Sequence, residues 1–165
     1  MQNNIENILI GCGPQAKYVS EILFLNNKKV SRIYDPIGEK VGQIVLGLKV
    51  VRFNLNSIAK CSESGRPAQI YICVKDNLLK RKLSAQLRKF FPIVSAIHPR
   101  SNISPTAVIG KGSIINKSVV VEADARIGKE CVVHAGTVIE HDCQIKSYCN
   151  LAPGVVLAGG VIIGG

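Results

Sequence analysis

A branched aliphatic residue recurs at every sixth position of this chain from residue 97 to residue 163, without a break. The twelve residues are Ile97, Ile103, Ile109, Ile115, Val121, Ile127, Val133, Ile139, Ile145, Leu151, Leu157 and Ile163. A helix repeats near 3.6 residues and a strand repeats every 2, so a period of six fits neither alone. It is typical of a triangular coil in which each hexad forms one flat side and one corner. The pattern therefore predicts an all-β hexapeptide β-helix over residues 97–165.

The position four residues after each aliphatic is nearly always small. It is occupied by Ser101, Ala107, Ser113, Val119, Ala125, Cys131, Thr137, Cys143, Cys149, Val155 and Val161. We expect the aliphatic to fill the interior and the small residue to let the chain turn the corner. Three of the six cysteines fall in this series, and the chain has no CxxC pair. These three are therefore interpreted as buried small hydrophobes, and no metal site is expected.

Residues 1–96 alternate between strand-like and helix-like segments. Short apolar runs at residues 7–10, 30–34 and 69–74 predict strands, and residues 16–25 and 77–90 show helical spacing. The second helix is expected to place Leu78, Leu79, Leu83 and Leu87 on one face. Strand, turn, helix and strand in this order predict a βαβ unit with a parallel sheet. The chain is thus divided into an α/β domain, 1–96, and a β-helix domain, 97–165.

A glycine-rich turn, Gly11-Cys12-Gly13-Pro14-Gln15-Ala16, follows the first strand and opens the first helix. Glycines let the backbone approach a phosphate, and a helix N-terminus offers N–H groups to it. Asp35 ends the next strand, where an acid usually meets a ribose hydroxyl. The domain is half the size of a dinucleotide-binding domain, so a mononucleotide or nucleotide-sugar site is favoured over NAD. The alternative is a tight turn whose glycines serve only packing.

Charge is distributed unevenly. Residues 1–96 hold 15 Lys/Arg against 6 Asp/Glu, and residues 97–165 hold 6 against 5. A basic N-terminal half suggests nucleotide phosphates, nucleic acid or an anionic membrane surface as a partner. The alternative is that basic runs such as Lys80-Arg81-Lys82 are simply the solvent-exposed face of a helix. No apolar run reaches the roughly 20 residues of a membrane span, and the start does not resemble a signal peptide. A cytoplasmic location without membrane insertion is expected.

His141 is the candidate catalytic residue. It lies at the third hexad position, near a corner, between Glu140 and Asp142. A corner side chain can reach a ligand in a groove between coils of different subunits, and an adjacent carboxylate can orient the ring of a general base. The alternative is an ordinary surface histidine. His134, at the second hexad position, is expected to face outward.

The chain resembles the sugar O- and N-acyltransferase family, which includes sialic-acid O-acetyltransferases and bacillosamine- and perosamine-pathway N-acetyltransferases. The resemblance covers essentially the whole chain. The motifs that carry it are the glycine-rich turn, Asp35, Val74-Lys75-Asp76-Asn77, Ile97-His98-Pro99, Glu140-His141-Asp142-Cys143 and Leu151-Ala152-Pro153-Gly154. Pro14 and Gln15 depart from the family's usual Gly-His in the turn, and Pro36 follows Asp35 where a second acid is common.

The resemblance implies a homotrimer of left-handed β-helices, each with a Rossmann-like domain that holds a nucleotide-linked amino sugar. It implies acetyl-CoA as co-substrate, in the groove between two β-helices, with no metal and no nucleic acid. His141 would remove a proton from the acceptor, Asp142 would orient His141, and a backbone N–H at Gly159 would contact the thioester oxygen. The other implied cofactor contacts are His134 and Asn150. The implied substrate contacts are Gly11, Gly13, Gln15, Asp35 and Asn77.

Three functions stay open at this stage. The first is acetyl transfer to the amine of a nucleotide-linked amino sugar for surface glycan synthesis. The second is O-acetylation of sialic acid or another sugar hydroxyl, which would use the same histidine. The third is a truncated, non-catalytic trimeric paralogue that binds a nucleotide sugar. The hexads stop without a polar cap, so the β-helix is expected either to be truncated or to be naturally short and capped by something else. The sequence does not specify the sugar or the nucleotide.

Overall fold

The computed structural model describes residues 5–58 and 67–164. The chain divides into two compact units, one up to Val94 and the other from Ser95 onward. Each unit has its own architecture and its own core. Within the described residues, no helix is both long enough and apolar enough to cross a membrane.

The first unit is built on a four-stranded parallel sheet. Its elements are β1 (Glu6–Ile10), α1 (Pro14–Leu25), β2 (Val30–Asp35), β3 (Ile44–Val45), β4 (Leu48–Lys49), β5 (Val51–Arg52), β6 (Ala68–Ile72) and α2 (Asn77–Leu87). The strand order is β5-β2-β1-β6, and β3 and β4 form a separate hairpin. Because all four sheet strands run the same way, the loops after β1, β2 and β6 meet at one edge of the sheet.

Helix α2 differs from its predicted form. It ends at Leu87 rather than at residue 90. Leu83 and Leu87 are buried as expected, but Leu78 is 78% exposed, whereas Lys80 is only 3% exposed. The prediction that Leu78 shares the apolar face is therefore wrong, as is the prediction of a fully solvated Lys80. Leu78 stands in the first turn of the helix, one residue after its start, where the side chain points away from the sheet.

The second unit is a parallel β-helix made of two-residue strands. They are β7 (Ala96–Ile97), β8 (Asn102–Ile103), β9 (Val108–Ile109), β10 (Ile114–Ile115), β11 (Val120–Val121), β12 (Arg126–Ile127), β13 (Val132–Val133), β14 (Val138–Ile139), β15 (Gln144–Ile145), β16 (Asn150–Leu151), β17 (Val156–Leu157) and β18 (Ile162–Ile163). Every third strand pairs in parallel, which gives the sheets β7-β10-β13-β16, β8-β11-β14-β17 and β9-β12-β15-β18. The hexad prediction is confirmed.

The aliphatic at the second residue of each strand from β8 to β18 points into the coil, whereas Ile97 in β7 is 38% exposed and lies outside the core cluster. The inward aliphatics and the small residues form one core cluster that includes Ile115, Val121, Ile139, Cys131 and Cys143. The corner itself is made by the residue just before the small one, which takes a left-handed backbone conformation. Non-glycine examples are Ser118, Asp124, Glu130, Asp142 and Tyr148, with φ of 58, 61, 58, 61 and 67°.

Small polar side chains at the corners hydrogen-bond to the next coil. Ser113 Oγ donates to the carbonyl of Gly128 at 3.0 Å, and Thr137 Oγ1 donates to that of Ala152 at 3.1 Å. The thiols of Cys131 and Cys143 make the equivalent bond to Lys146 and Ala158, each at 3.1 Å. Cys131 and Cys143 are buried and form no disulfide bond, so they act as small hydrogen-bonding core residues.

Candidate functional site

A cleft of about 470 Å³ lies at the carboxyl edge of the sheet in the first unit. Gly11, Gly13 and Asp35, three of the predicted substrate residues, line this cleft. Lys40 and Lys75 line it as well, and neither is among the substrate residues predicted from the sequence. They could have been found, since one follows Asp35 by five positions and the other lies in the Val-Lys-Asp-Asn motif after β6.

The two glycines of the turn have different physical roles. Gly11 has φ +109°, and a Cβ atom there would lie 2.5 Å from the carbonyl oxygen of Cys73. Only glycine fits this position, because the backbones of β1 and β6 approach closely. Gly13 is the N-cap residue of α1, with no side-chain cap, and a Cβ atom there would meet nothing within 4 Å. Gly11 thus fixes the packing, and Gly13 leaves the helix N-terminus open.

Asp35 is almost fully buried, and its carboxylate organises the loop that follows β2. Oδ1 accepts the N–H of Ile37 at 2.9 Å, and Oδ2 accepts the N–H of Lys40 at 2.8 Å. Burial would raise the pKa of Asp35, but the N–H groups of Lys40, Gly38 and Ile37, with the Cys12 thiol, hold that pKa below its usual value. The ionised carboxylate therefore fixes one wall of the cleft.

The cleft does not present an activated thiol. Burial, together with the charge of Asp35, raises the pKa of the Cys12 thiol. Burial raises the pKa of Cys73 to about 12. Both thiols are protonated at neutral pH and are poor nucleophiles.

Gln15 and Asn77 do not line the cleft. Gln15 is buried in α1, and its Oε1 has no hydrogen-bond partner among the described residues. Asn77 is exposed and is the first residue of α2, whose N-cap is Asp76. Asp76 Oδ1 accepts the N–H of Leu79 at 2.7 Å.

His141 and Asp142 lie together at the corner between β14 and β15. His141 Nδ1 is 2.8 Å from Asp142 Oδ2, and the two side chains are 63% and 66% exposed. Asp142 has the left-handed backbone conformation of the corner, with φ 61°. The turn thus places a histidine and a carboxylate side by side on the outside of the coil.

The acids around His141 favour its protonated form. The hydrogen bond that His141 Nδ1–H donates to Asp142 raises the pKa of His141, and the charge of Asp142 acts in the same direction. Partial desolvation lowers it, while the charges of Glu140 and Glu122 raise it further. A raised pKa makes the imidazole of His141 a stronger base than a free histidine side chain.

Gly159 lies directly against the His141 ring, one coil further along. A Cβ atom on Gly159 would be 2.6 Å from both Cε1 and Nε2 of His141. The N–H of Gly160 donates to the carbonyl of His141 at 2.9 Å. The fold therefore brings together three of the predicted residues: His141, Asp142 and Gly159.

His134 and Asn150 lie elsewhere on the β-helix. His134 directly follows β13, is half-buried, and donates its N–H to Leu151 O at 3.0 Å. Asn150 begins β16 and is exposed. Both are on or next to the sheet β7-β10-β13-β16, whereas His141 lies at the corner between the other two sheets.

No group of three or more His, Cys, Asp or Glu within residues 5–58 and 67–164 could hold a metal ion.

The bacterial transferase hexapeptide (six repeats) family matches residues 106–141 and 124–159. Among solved structures, PerB from Caulobacter crescentus, in complex with CoA and GDP-perosamine, has a TM-score of 0.84 and 34% sequence identity, over 95% of this chain and 73% of that chain. A variant of perosamine N-acetyltransferase from the same organism with asparagine in place of a histidine, also with CoA and GDP-perosamine, has a TM-score of 0.87 and 33% identity over the same shares. This chain belongs to the hexapeptide-repeat sugar acyltransferase family.

The acetyltransferase domain of PglB from Neisseria gonorrhoeae, in complex with acetyl coenzyme A, is also similar to this acyltransferase. Its TM-score is 0.80 at 25% identity, over 98% of this chain and 76% of that chain. A search of the curated proteins found no match. The stacked parallel sheets and the hexapeptide match fit a left-handed β-helix. The second segment of this sugar acyltransferase that matches the hexapeptide family, residues 124–159, contains His141, Asp142 and Gly159.

Proposed function

We propose that this protein transfers the acetyl group of acetyl-CoA to the amine of a nucleotide-linked amino sugar, with His141 as general base. The observation that carries the proposal is the exposed His141–Asp142 pair, in which His141 Nδ1 lies 2.8 Å from Asp142 Oδ2. Gly159 packs directly against the His141 imidazole. The similar perosamine N-acetyltransferase was crystallised with CoA and GDP-perosamine.

The proposed chemistry uses both nitrogens of the imidazole. His141 Nδ1–H donates to Asp142, which leaves the lone pair on Nε2 to accept a proton from the sugar amine. The amine nitrogen attacks the thioester carbonyl as that proton leaves. The tetrahedral intermediate then expels CoA as a thiolate, and the imidazolium returns the proton to its sulfur. The amide and CoA are the products, and His141 is restored.

The oxygen of the tetrahedral intermediate needs a hydrogen-bond donor. We assign this role to the backbone N–H of Gly159, which follows from the resemblance and is compatible with the contact between Gly159 and the ring. Losing one such donor typically costs about 10²–10³ in kcat.

The first unit is proposed to be a Rossmann-like domain, residues 1–96, that binds the nucleotide sugar in its cleft. The open N-terminus of α1 at Gly13 and the two cleft lysines, Lys40 and Lys75, supply N–H groups and positive charge for phosphates. Asp35 is proposed to assist nucleotide-sugar binding in two ways. It holds the loop of residues 36–40 in place, and it contacts the ribose. Gln15 and Asn77 remain proposed contacts.

The active assembly is proposed to be a homotrimer. The outward side of the sheet β8-β11-β14-β17 carries Val120, Val138 and Val156, and Val156 is 68% exposed. An apolar stripe of this kind is suited to burial against another subunit. His134 and Asn150 lie on a different sheet from His141, so within the trimer they are proposed to contact acetyl-CoA opposite the His141 of a neighbouring subunit. Free cysteines and the two substrates agree with a cytoplasmic location.

The test is an acetyl-transfer assay that follows release of the CoA thiol with a nucleotide-linked amino sugar as acceptor. GDP- and UDP-linked amino sugars are compared with the matching hydroxyl sugars and with sialic acid. Transfer to an amine, with product confirmed by mass spectrometry, is expected. Transfer only to a hydroxyl would replace N-acetylation with O-acetylation. Nucleotide-sugar binding without saturable acetyl-CoA binding in calorimetry would indicate the non-catalytic alternative.

A further inference from the structure

The contact between Gly159 and His141 is not explained by the backbone needs of the coil. Gly159 does not have a left-handed φ, so an alanine could adopt its backbone conformation without strain. A Cβ atom on residue 159 would instead clash with the imidazole of His141, at 2.6 Å from Cε1 and Nε2 and 3.2 Å from Cδ2. The absence of a side chain at residue 159 leaves the space that the ring occupies.

Other glycines of the β-helix serve different purposes. A Cβ atom on Gly110 or Gly128 would lie 2.4–2.5 Å from backbone atoms of the next coil, so these residues allow the coils to stack. Gly154 and Gly160 have φ +70° and +73° with nothing within 4 Å, so they serve the turn conformation. Gly159 differs from both groups because its close neighbour is a side chain that carries chemistry.

The backbone around Gly159 is held on both sides by hydrogen bonds to the coil that carries His141. Glu140 N–H donates to Leu157 O at 3.1 Å, and the Cys143 thiol donates to Ala158 O at 3.1 Å. Gly160 N–H donates to His141 O at 2.9 Å. These bonds keep the backbone of residue 159 in place. An added Cβ atom would therefore displace the exposed ring and not the coil.

We propose that Gly159 is a positioning residue for His141, which acts through the absence of its Cβ atom. With no side chain at residue 159, the ring lies over the backbone of the next coil while Nδ1 keeps its contact with Asp142. Displacing the ring moves Nε2 and separates Nδ1 from the carboxylate. This role is separate from that of the Gly159 N–H, and it rests on the proposed function of His141 as the base.

The test is Gly159→Ala, which keeps the N–H and adds only a Cβ atom. We expect kcat to fall about 100-fold, since a misplacement of 1 Å can have that effect, with KM for both substrates within about twofold of wild type. The melting temperature should be close to that of the wild type. In an NMR titration, the pKa of His141 should fall toward its ordinary value as the contact with Asp142 is lost. Gly154→Ala, at a different corner, is the control and should keep its kcat.

The outcomes separate this proposal from the proposed function. An inactive His141→Ala variant together with a fully active Gly159→Ala variant would overturn the positioning role alone. An active His141→Ala variant would overturn the proposed base. If Gly159→Ala is poorly folded, the double variant His141→Ala/Gly159→Ala shows whether the added Cβ atom clashes with the ring or with the coil. Restored folding in the double variant locates the clash at the ring, whereas equal destabilisation means that the coil itself requires the glycine and contradicts the proposal.

Discussion

The two units of the chain hold their candidate functional groups in opposite ways. In the first unit, Asp35 is buried, and both of its oxygens accept N–H groups of its own loop. In the β-helix, His141 and Asp142 are mostly exposed and form their side-chain hydrogen bond with each other. Asp35 therefore both lines the cleft and stabilises the loop that forms it. His141 and Asp142 lie on the outside of the coil, which is held together by hydrogen bonds and packing that do not involve their side chains.

This difference follows from the architecture. Each coil of the β-helix repeats the same parallel pairing and the same buried small residue, so an outward-pointing side chain such as that of His141 is dispensable for folding. An α/β sheet has no such repeat, and each loop at its edge needs particular residues to hold it. We therefore expect substitutions in the first unit to change stability and affinity together, and substitutions at the His141 corner to change rate alone.

The largest expected effect is that of Gly11→Ala. The new Cβ atom would approach the Cys73 carbonyl to 2.5 Å in a left-handed backbone conformation, so the free energy of unfolding should fall by about 3 kcal/mol or more. Chemical denaturation, with hydrogen exchange of β1 and β6 as the local probe, measures it. Gly13→Ala, which has open space, is the matched control and should change stability little. Equal stability of the Gly11 and Gly13 variants would contradict the close-approach argument.

Asp35→Asn should have the next largest effect. An amide cannot accept both N–H groups as the carboxylate does, so we expect a loss of about 2 kcal/mol in unfolding free energy at pH 7. Because the folded pKa of Asp35 is lowered, its contribution is present above the ordinary carboxyl pKa and is lost as pH falls through the lowered value. Unfolding curves measured at several pH values should therefore converge for wild type and variant in acid. A constant difference at all pH values would argue against an ionised Asp35.

Asp142→Asn tests the β-helix side of the comparison. The exposed pair does not support the coil, so the melting temperature should be unchanged, while kcat should fall about tenfold because the ring loses its orientation. The wild-type rate should rise with pH through the raised pKa of His141, since the base must be unprotonated. In the variant this rise of the rate should occur at lower pH, because His141 has lost the carboxylate that raises its pKa. A pH–rate profile in which the rise stays at the wild-type pH would show that Asp142 does not act on His141.

Lys75→Ala should produce the smallest effect. Removal of one cleft cation should raise KM for the nucleotide sugar about fivefold with kcat unchanged, and added salt should reduce the difference between wild type and variant. Lys117→Ala, at an exposed corner of the β-helix, is the control and should leave KM unaltered. An equal change in both variants would indicate a general charge effect and not a phosphate contact.

The hexad series was sufficient to predict the coil because each hexad requires one interior aliphatic and one small residue. It did not reveal where the corner turns, since the left-handed position accepts residues as different as Ser118, Asp124 and Tyr148. Backbone conformation there is imposed by the pairing of neighbouring coils. The contact between Gly159 and His141 could be anticipated, because residues one coil apart lie next to each other.

The first unit was harder to predict in detail. Its strands and turn are visible as apolar runs and glycines, but the orientation of side chains on α2 depends on how the helix lies on the sheet. Helical spacing alone therefore assigned Leu78 to the buried face and Lys80 to the surface, and both assignments are wrong. The loop bonds of Asp35 could not be predicted either, because they depend on the path of residues 36–40.

The central claim is that catalysis belongs to the His141 corner and can be removed without cost to the fold. The direct measurement is kcat and melting temperature for His141→Ala beside wild type, with saturating acetyl-CoA and a nucleotide-linked amino sugar. We predict a fall in kcat of about 10²–10⁴, the usual contribution of a general base, with the melting temperature unchanged. A variant that transfers acetyl groups at the wild-type rate would contradict the claim.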